Sequence, residues 1–301
     1  MQKIIECVPN FSEGRDRQKV DRITSPFRDR QDVHLLDVQT DADHNRMVVT
    51  LIGSPEAVKS AVLDAMEQAI SLIDMRQHRG QHPRMGAVDV VPLIPIRDVA
   101  MEEAVALSRV LGREAADRFD LPVFLYERSA TADHRTNLAA VRKGQFEQMA
   151  EKMKDPQWQP DFGPARVHPT AGVTAVGARP ALVAFNVNLG TGDIAVADAI
   201  AKKVRFVGGG LRHCKAMGVS LEDRGIVQVS MNMTDYTRTA LYQAVEMIRA
   251  EARRYGVPVV GSEIVGLVPM QALIDCAAYY LGLENFDMKQ VLETHLMQGE
   301  I

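Results

Sequence analysis

MVVTLIGSPEAVKSAVLDAMEQAI, residues 47–70, holds a strand and a helix back to back. Residues 47–53 form a short apolar, β-branched run of the kind that pairs in a sheet. Ser54-Pro55-Glu56 then opens a helix: serine caps, proline takes the first turn, and glutamate suits the positive end. Val58, Val62, Met66, Ala69, Ile70 and Ile73 follow near the 3.6-residue period that gathers them on one face. Upstream, IIECV (4–8) and VHLLDV (33–38) read as strands. Downstream, VDVVPLI (88–94) is a strand, Asp98 can cap a helix to about Phe119, and PVFLYE (122–127) is another strand.

The second half repeats this rhythm. ALVAFNV (181–187) reads as a strand, and LGTGD (189–193) turns into a helix with Ile194, Ala197, Ile200 and Val204 on one face. GIVQVSMNM (225–233) alternates as a strand does. Thr234-Asp235 is the expected cap of a long helix with Leu241, Val245, Ile248 and Ala252 inward, closed by Gly256 and Pro258. VPVVGSEIVG (257–266) follows as a strand, and Pro269 starts a last core helix to about Tyr280. Each half can be written β-α-β-β-α-β with additions. The expected fold class is therefore α+β, with two α/β subdomains of split β-α-β, ferredoxin-like character and mixed sheets, over residues 1–178 and 179–301. The junction falls within 150–180, where DPQWQPDFGPARVHPTAG carries four prolines and resists both helix and central strand.

Composition removes several classes of function. A chain of 301 residues that is 46% hydrophobic and 25% charged can bury a core and is not disordered. The net charge of −4 gives no reason to expect nucleic acid or an anionic membrane as partner. No apolar run is long enough to span a bilayer. The opening MQKIIECVPNFSEGRD has charges at Lys3, Glu6 and Glu13 where a secretory leader would need an apolar stretch, so a cytoplasmic location is expected. Cys7, Cys214 and Cys276 are too widely spaced for a CxxC site and read as reduced thiols.

Four polar constellations stand out. Arg76-Gln77-His78-Arg79-Gly80-Gln81-His82-Pro83-Arg84 packs two histidines and three arginines into nine residues just before a buried strand. Guanidinium forks there can pair with carboxylates, and a histidine can move protons near neutrality; a solvated basic turn is the plainer reading. His78 and His82 have i, i+4 spacing, but Gly80 and Pro83 oppose a helix and the glutamate of a zincin is missing, so no metal is expected. Asn10, Ser12 and Glu13 follow the first strand, with Ser12 or Asp16 able to serve as a helix cap. Asp37 through Arg46 joins two strands as a polar hairpin that could fold toward His82. Gly163-Pro164-Ala165-Arg166-Val167-His168-Pro169-Thr170-Ala171-Gly172 combines close-approach glycines with stiff prolines, suited to a planar ligand or to a rigid linker.

ECVPNFSEGR (6–15), DADHNRMVVTLIG (41–53), HPRMGAVDVVPLIPI (82–96), DFGPARVHPTAG (161–172), LVAFNVNL (182–189), VSMNMTD (229–235) and PVVGSEIVGLVP (258–269) together resemble the glutamate formimidoyltransferase family. The resemblance covers nearly the whole chain in order. It is to the transferase portion, so the cyclodeaminase activity of two-domain members is expected to be absent. The resemblance implies two subdomains about a central ligand tunnel that holds folate. It also implies transfer of a formimino group from N-formimino-L-glutamate to N5 of tetrahydrofolate, in histidine degradation. His82 takes the place of the family's catalytic histidine, and Gly163–Gly172 that of its folate-binding stretch. Arg46, Arg79 and Arg84 are expected to meet glutamyl carboxylates, with Asn10 and Asn45 orienting and with Ser12, Glu13 and Asp37 completing the substrate set. Gln39 stands where some members carry an acid, and Thr170-Ala171 where two-domain members can carry a bulkier residue. An uncharged carboxamide cannot stabilise imidazolium by charge, so Asp37 or Asp41 is the expected substitute. Tetrahydrofolate is the co-substrate, no metal is needed, and a homodimer is expected. One histidine can serve as base and then acid as an amine displaces glutamate from an amidine carbon. The alternatives are an amidine hydrolase that works without folate and a folate binder without turnover.

Overall fold

In the computed structural model, which describes residues 3–28 and 30–297, the chain forms two compact units that divide between Arg179 and Pro180. The first begins with β1 (Ile4–Cys7) and β2 (Asn10–Phe11), followed by α1 (Arg17–Thr24), β3 (Val33–Asp41), β4 (Arg46–Gly53), α2 (Pro55–Leu72) and β5 (Val88–Arg97). β4 lies between β3 and the β1/β2 pair, and β5 flanks β1/β2 on the other side, all antiparallel. That is the β-α-β-β-α-β arrangement expected from the sequence. Strict alternation along β4 buries Met47, Val49 and Leu51 against α1 and α2, which leaves Arg46 on the opposite face.

The first sheet is then extended. α3 (Met101–Phe119) leads to β6 (Val123–Leu125), and two short helices follow, α4 (Leu138–Arg142) and α5 (Gln145–Lys152). β7 (Thr174–Ala178) inserts between β5 and β6, parallel to both. The sheet has seven strands and is mixed. The proline-rich stretch stays outside strands and α-helices, apart from a 3-10 turn at Pro156–Trp158, and belongs to this first unit.

The second unit comprises β8 (Val183–Leu189), α6 (Ile194–Val204), β9 (Cys214–Leu221), β10 (Ile226–Met233), α7 (Leu241–Arg254), β11 (Val259–Val265) and α8 (Met270–Leu281). Its order, β11-β8-β10-β9, repeats the split β-α-β pattern, with α6 and α7 contributing to one apolar core. The mixed character expected of both sheets is confined to the first, since every pairing in the second is antiparallel.

Two expected helix caps are displaced. Asp98 sits at φ 52°, and α3 starts only after Ala100, whose N–H donates to Glu103. Asp235 accepts the Thr237 hydroxyl at 2.6 Å, and its carbonyl closes a turn with Arg238 and Thr239, so α7 begins at Leu241. Aspartate competes for its own local backbone, and here the turn wins over the cap. Among the described residues, no helix is long and apolar enough to cross a membrane.

Candidate active site

The turn between β3 and β4 sets the site. Asn45 adopts φ 48°, a left-handed conformation that asparagine tolerates better than most residues. Its Oδ1 accepts from Gly14 N at 3.0 Å and its Nδ2 donates to the Arg79 carbonyl at 3.1 Å. Asn45 therefore ties the end of β2, the hairpin and the segment before β5 together. Gly80 makes the approach possible, because a Cβ there would lie 2.1 Å from the His44 carbonyl oxygen.

His78 and Arg84 lock that segment from inside. Arg84 Nε donates to His78 Nδ1 at 3.1 Å, and a guanidinium has no lone pair to offer in return. His78 must therefore be the Nε2–H tautomer, donating to the Asn45 carbonyl at 2.9 Å. Burial holds its pKa below the ordinary value, in keeping with a neutral ring. Arg84 grips Glu147 with two bonds of 2.6 and 2.9 Å and Gln145 with a third of 3.0 Å. The hydrogen bond from Arg84 lowers the Glu147 pKa. Arg84 thus spends its donors fastening α5 to the site. Among the described residues, no group of three or more His, Cys, Asp or Glu side chains could hold a metal ion.

His82 has a different environment. Arg46 Nη1 donates to His82 Nε2 at 3.0 Å, which makes that nitrogen an acceptor and leaves the ring proton on Nδ1. His44 meets the ring edge-on, with centroids 5.9 Å apart, while its Nδ1 pairs with Asp41 at 2.5 Å. Burial is the main cause that lowers the His82 pKa, to about 3; Arg46, Arg142 and His44 push the same way, and Asp41 opposes them. Asp41 is thus the acid whose field reaches the ring. Gln39 is exposed and donates to Asp37 at 2.8 Å.

Sequence reasoning missed Arg142 and Asp89. Arg142, the last residue of α4, donates to Asp89 at 2.6 Å, and Asp89 also accepts from Met85 N at 2.8 Å. Asp89 is 2% exposed, and burial raises its pKa while Arg142 lowers it. A lone carboxylate inside VDVVPLI was the available signal, since a buried charge requires a partner. Asp89→Asn should destabilise the protein by about 3 kcal/mol, the lower end for breaking a buried ion pair from one side. Urea denaturation checks it, and a loss below about 1 kcal/mol would mean that the pair contributes like a surface one.

The remaining predicted residues fall into three groups. Glu13 accepts from Arg15 N and Asp16 N and Asn10 donates to the Val8 carbonyl, so both brace local backbone, while Ser12 donates to the Gly86 carbonyl at 2.7 Å and ties its own segment to the one that leads into β5. Asp16 is the cap of α1. Arg79 is exposed, with its guanidinium over the Arg76 and His78 carbonyls, and Asp37 lies out along β3 with Gln39. The 163–172 stretch is stitched to the segment around His82: Met75 N donates to the Thr170 carbonyl, Ala87 N to that of Ala171, and Val173 N to that of Met85. His168 Nδ1 accepts from Ala171 N at 2.9 Å and holds the loop's own turn, while Arg166 pairs with Asp120. The structure therefore brings His82, Arg46, His44, Asn45 and the 163–172 loop into one region of the first unit.

The description "Formiminotransferase domain, N-terminal subdomain" matches residues 4–179, and "Formiminotransferase domain" matches residues 184–298. The chain belongs to the formiminotransferase family. It is 52% identical over 298 residues to a protein of Streptococcus pyogenes named glutamate formimidoyltransferase, covering 99% of this chain and all of that one. It is 46% identical to a Thermoplasma acidophilum protein of the same name, with 96% of each covered. A rat protein named formimidoyltransferase-cyclodeaminase is 42% identical over 95% of this chain, which spans 54% of that relative. Each family description falls within one unit of the fold, residues 4–179 in the first and 184–298 in the second.

Proposed function

We propose that this protein transfers the formimino group of N-formimino-L-glutamate to N5 of tetrahydrofolate, giving L-glutamate and 5-formiminotetrahydrofolate. The observation that carries the reading is the state of His82, an unprotonated imidazole set among guanidiniums in a chain similar along its length to glutamate formimidoyltransferases. N5 attacks the amidine carbon, His82 removes the proton that the attacking nitrogen must lose, and the tetrahedral intermediate collapses as His82 returns that proton to the departing glutamate nitrogen. Base and acid are the same ring at successive moments. Arg46, with its charge next to the ring, is the group placed to meet a glutamyl carboxylate, and Asn45 keeps the hairpin in register. The 163–172 loop is the proposed folate contact. Its backbone bonds to the His82 segment support that role, because a ligand on the loop would lie near the base. Holding both substrates in line supplies much of the remaining acceleration.

A steady-state assay with N-formimino-L-glutamate, run with and without tetrahydrofolate, tests this. Product formation is expected to require the folate. Equal turnover without it would replace the transfer by hydrolysis, and folate binding with no turnover under either condition would leave a binding protein.

A further inference from the structure

Two guanidiniums beside His82 each keep a buried N–H that no protein atom accepts: Arg46 Nε and Arg142 Nε. Both side chains are anchored elsewhere, Arg46 through Nη1 on His82 Nε2 at 3.0 Å and Arg142 through Nη2 on Asp89 at 2.6 Å. Buried donors are almost always satisfied, and two open ones on neighbouring cations suit an anionic ligand. The Arg46 bond raises a second point. A general base must present a lone pair, yet Arg46 covers the one on Nε2 while Nδ1 holds the ring proton.

We propose that Arg46 is a positioning residue whose guanidinium masks His82 Nε2, and that a carboxylate of the glutamyl donor, gripped by Arg46 and Arg142, draws the guanidinium away and uncovers the base. The inference rests on the transferase reading above. Once uncovered, Nε2 takes the proton from N5 as the N5–carbon bond forms and returns it to the glutamate nitrogen as the carbon–nitrogen bond breaks, so no proton is gained or lost over the cycle. The groups acting on the ring are Arg46 on β4, His44 and Asp41 at the hairpin, and Arg142 on α4. A carboxylate arriving among them offsets the two guanidinium charges and makes the ring easier to protonate at the moment when it must accept a proton. A donor lacking its carboxylates would leave the base covered.

The test follows His82 by NMR of protein labelled with nitrogen-15 at histidine, assigned by the signal lost in His82→Ala, through a pH titration with and without saturating L-glutamate. Without ligand, Nε2 should report as an acceptor and the titration midpoint should lie below the ordinary histidine range; glutamate should raise the midpoint by about one unit or more, a tenfold change in proton affinity. In Arg46→Gln the midpoint should start higher and respond to glutamate by less than about threefold, and Arg46→Lys should restore part of the response. Calorimetry on the same samples reports whether glutamate binds. Binding with an unmoved His82 midpoint in the unmodified protein overturns the masking while leaving the transferase reading intact, as does a response in Arg46→Gln equal to the original. Failure of both glutamate and N-formimino-L-glutamate to bind removes the masking and the transferase reading together.

Discussion

His82→Ala is expected to lower kcat for formimino transfer by about 10²–10⁴-fold, the range for loss of a positioned general acid–base. One proton is handed over twice in the reaction and one ring is placed for both transfers, so the loss should lie toward the upper part of that range. Tetrahydrofolate affinity should stay within about threefold, because the proposed folate loop is held by backbone bonds from Met75, Ala87 and Val173 and uses no bond from the imidazole. Steady-state kinetics and a direct folate titration separate the two effects. A variant that keeps more than about a tenth of wild-type kcat would remove His82 from the chemistry. A variant that also loses folate would make the ring a structural part of the binding site. The pH dependence adds an independent check. With the free-enzyme pKa of His82 depressed to about 3, its protonation should not produce an acid limb in kcat/KM near pH 6.5. In the complex, a bound carboxylate should move that limb upward in kcat.

Gly172→Ala is expected to destabilise the first unit by at least about 3 kcal/mol, because it combines two costs that each reach the kcal/mol range. Gly172 has φ 76°, and a Cβ there would lie 2.2 Å from the Met85 carbonyl oxygen and 2.9 Å from Gly86 Cα. Gly86 faces Gly172 across a bridge and is equally confined, since its own Cβ would lie 2.1 Å from the Val173 carbonyl oxygen. The two glycines let the end of the 163–172 loop lie directly on the backbone that leads from His82 into β5. Chemical denaturation should show a lowered midpoint, and tetrahydrofolate affinity should fall along with it. A stability loss below about 1 kcal/mol would mean that the two segments are free to separate.

The elements were legible where local rules and tertiary packing agree. Pro55 and Glu56 open α2 where the pattern places them, and the alternation in β4 fixes which side chains face the helices. They were misread where a short polar side chain had two local uses, as with Asp98 and Asp235, whose turns displaced the expected caps. His82 was legible as a residue of its motif, but its protonation state was not. That state depends on Arg46 from β4 and on Arg142 from a helix of five residues, too short to leave a periodic signal. Arg84 shows the same limit from the other side. Its charge suggested a ligand contact, and only the fold reveals that Glu147 and Gln145 occupy it.

The insertion of β7 between β5 and β6 has a consequence for synthesis on the ribosome. β6 is complete at Leu125, but the strand that pairs with it ends at Ala178, 53 residues later (178 − 125). At about 5–20 residues per second, a nascent chain waits roughly 3–10 s with β5 exposing one open edge and β6 unpaired. The proline-rich stretch is made during that interval, and its poor capacity to pair as a strand keeps it from taking the place on β5 that β7 later fills.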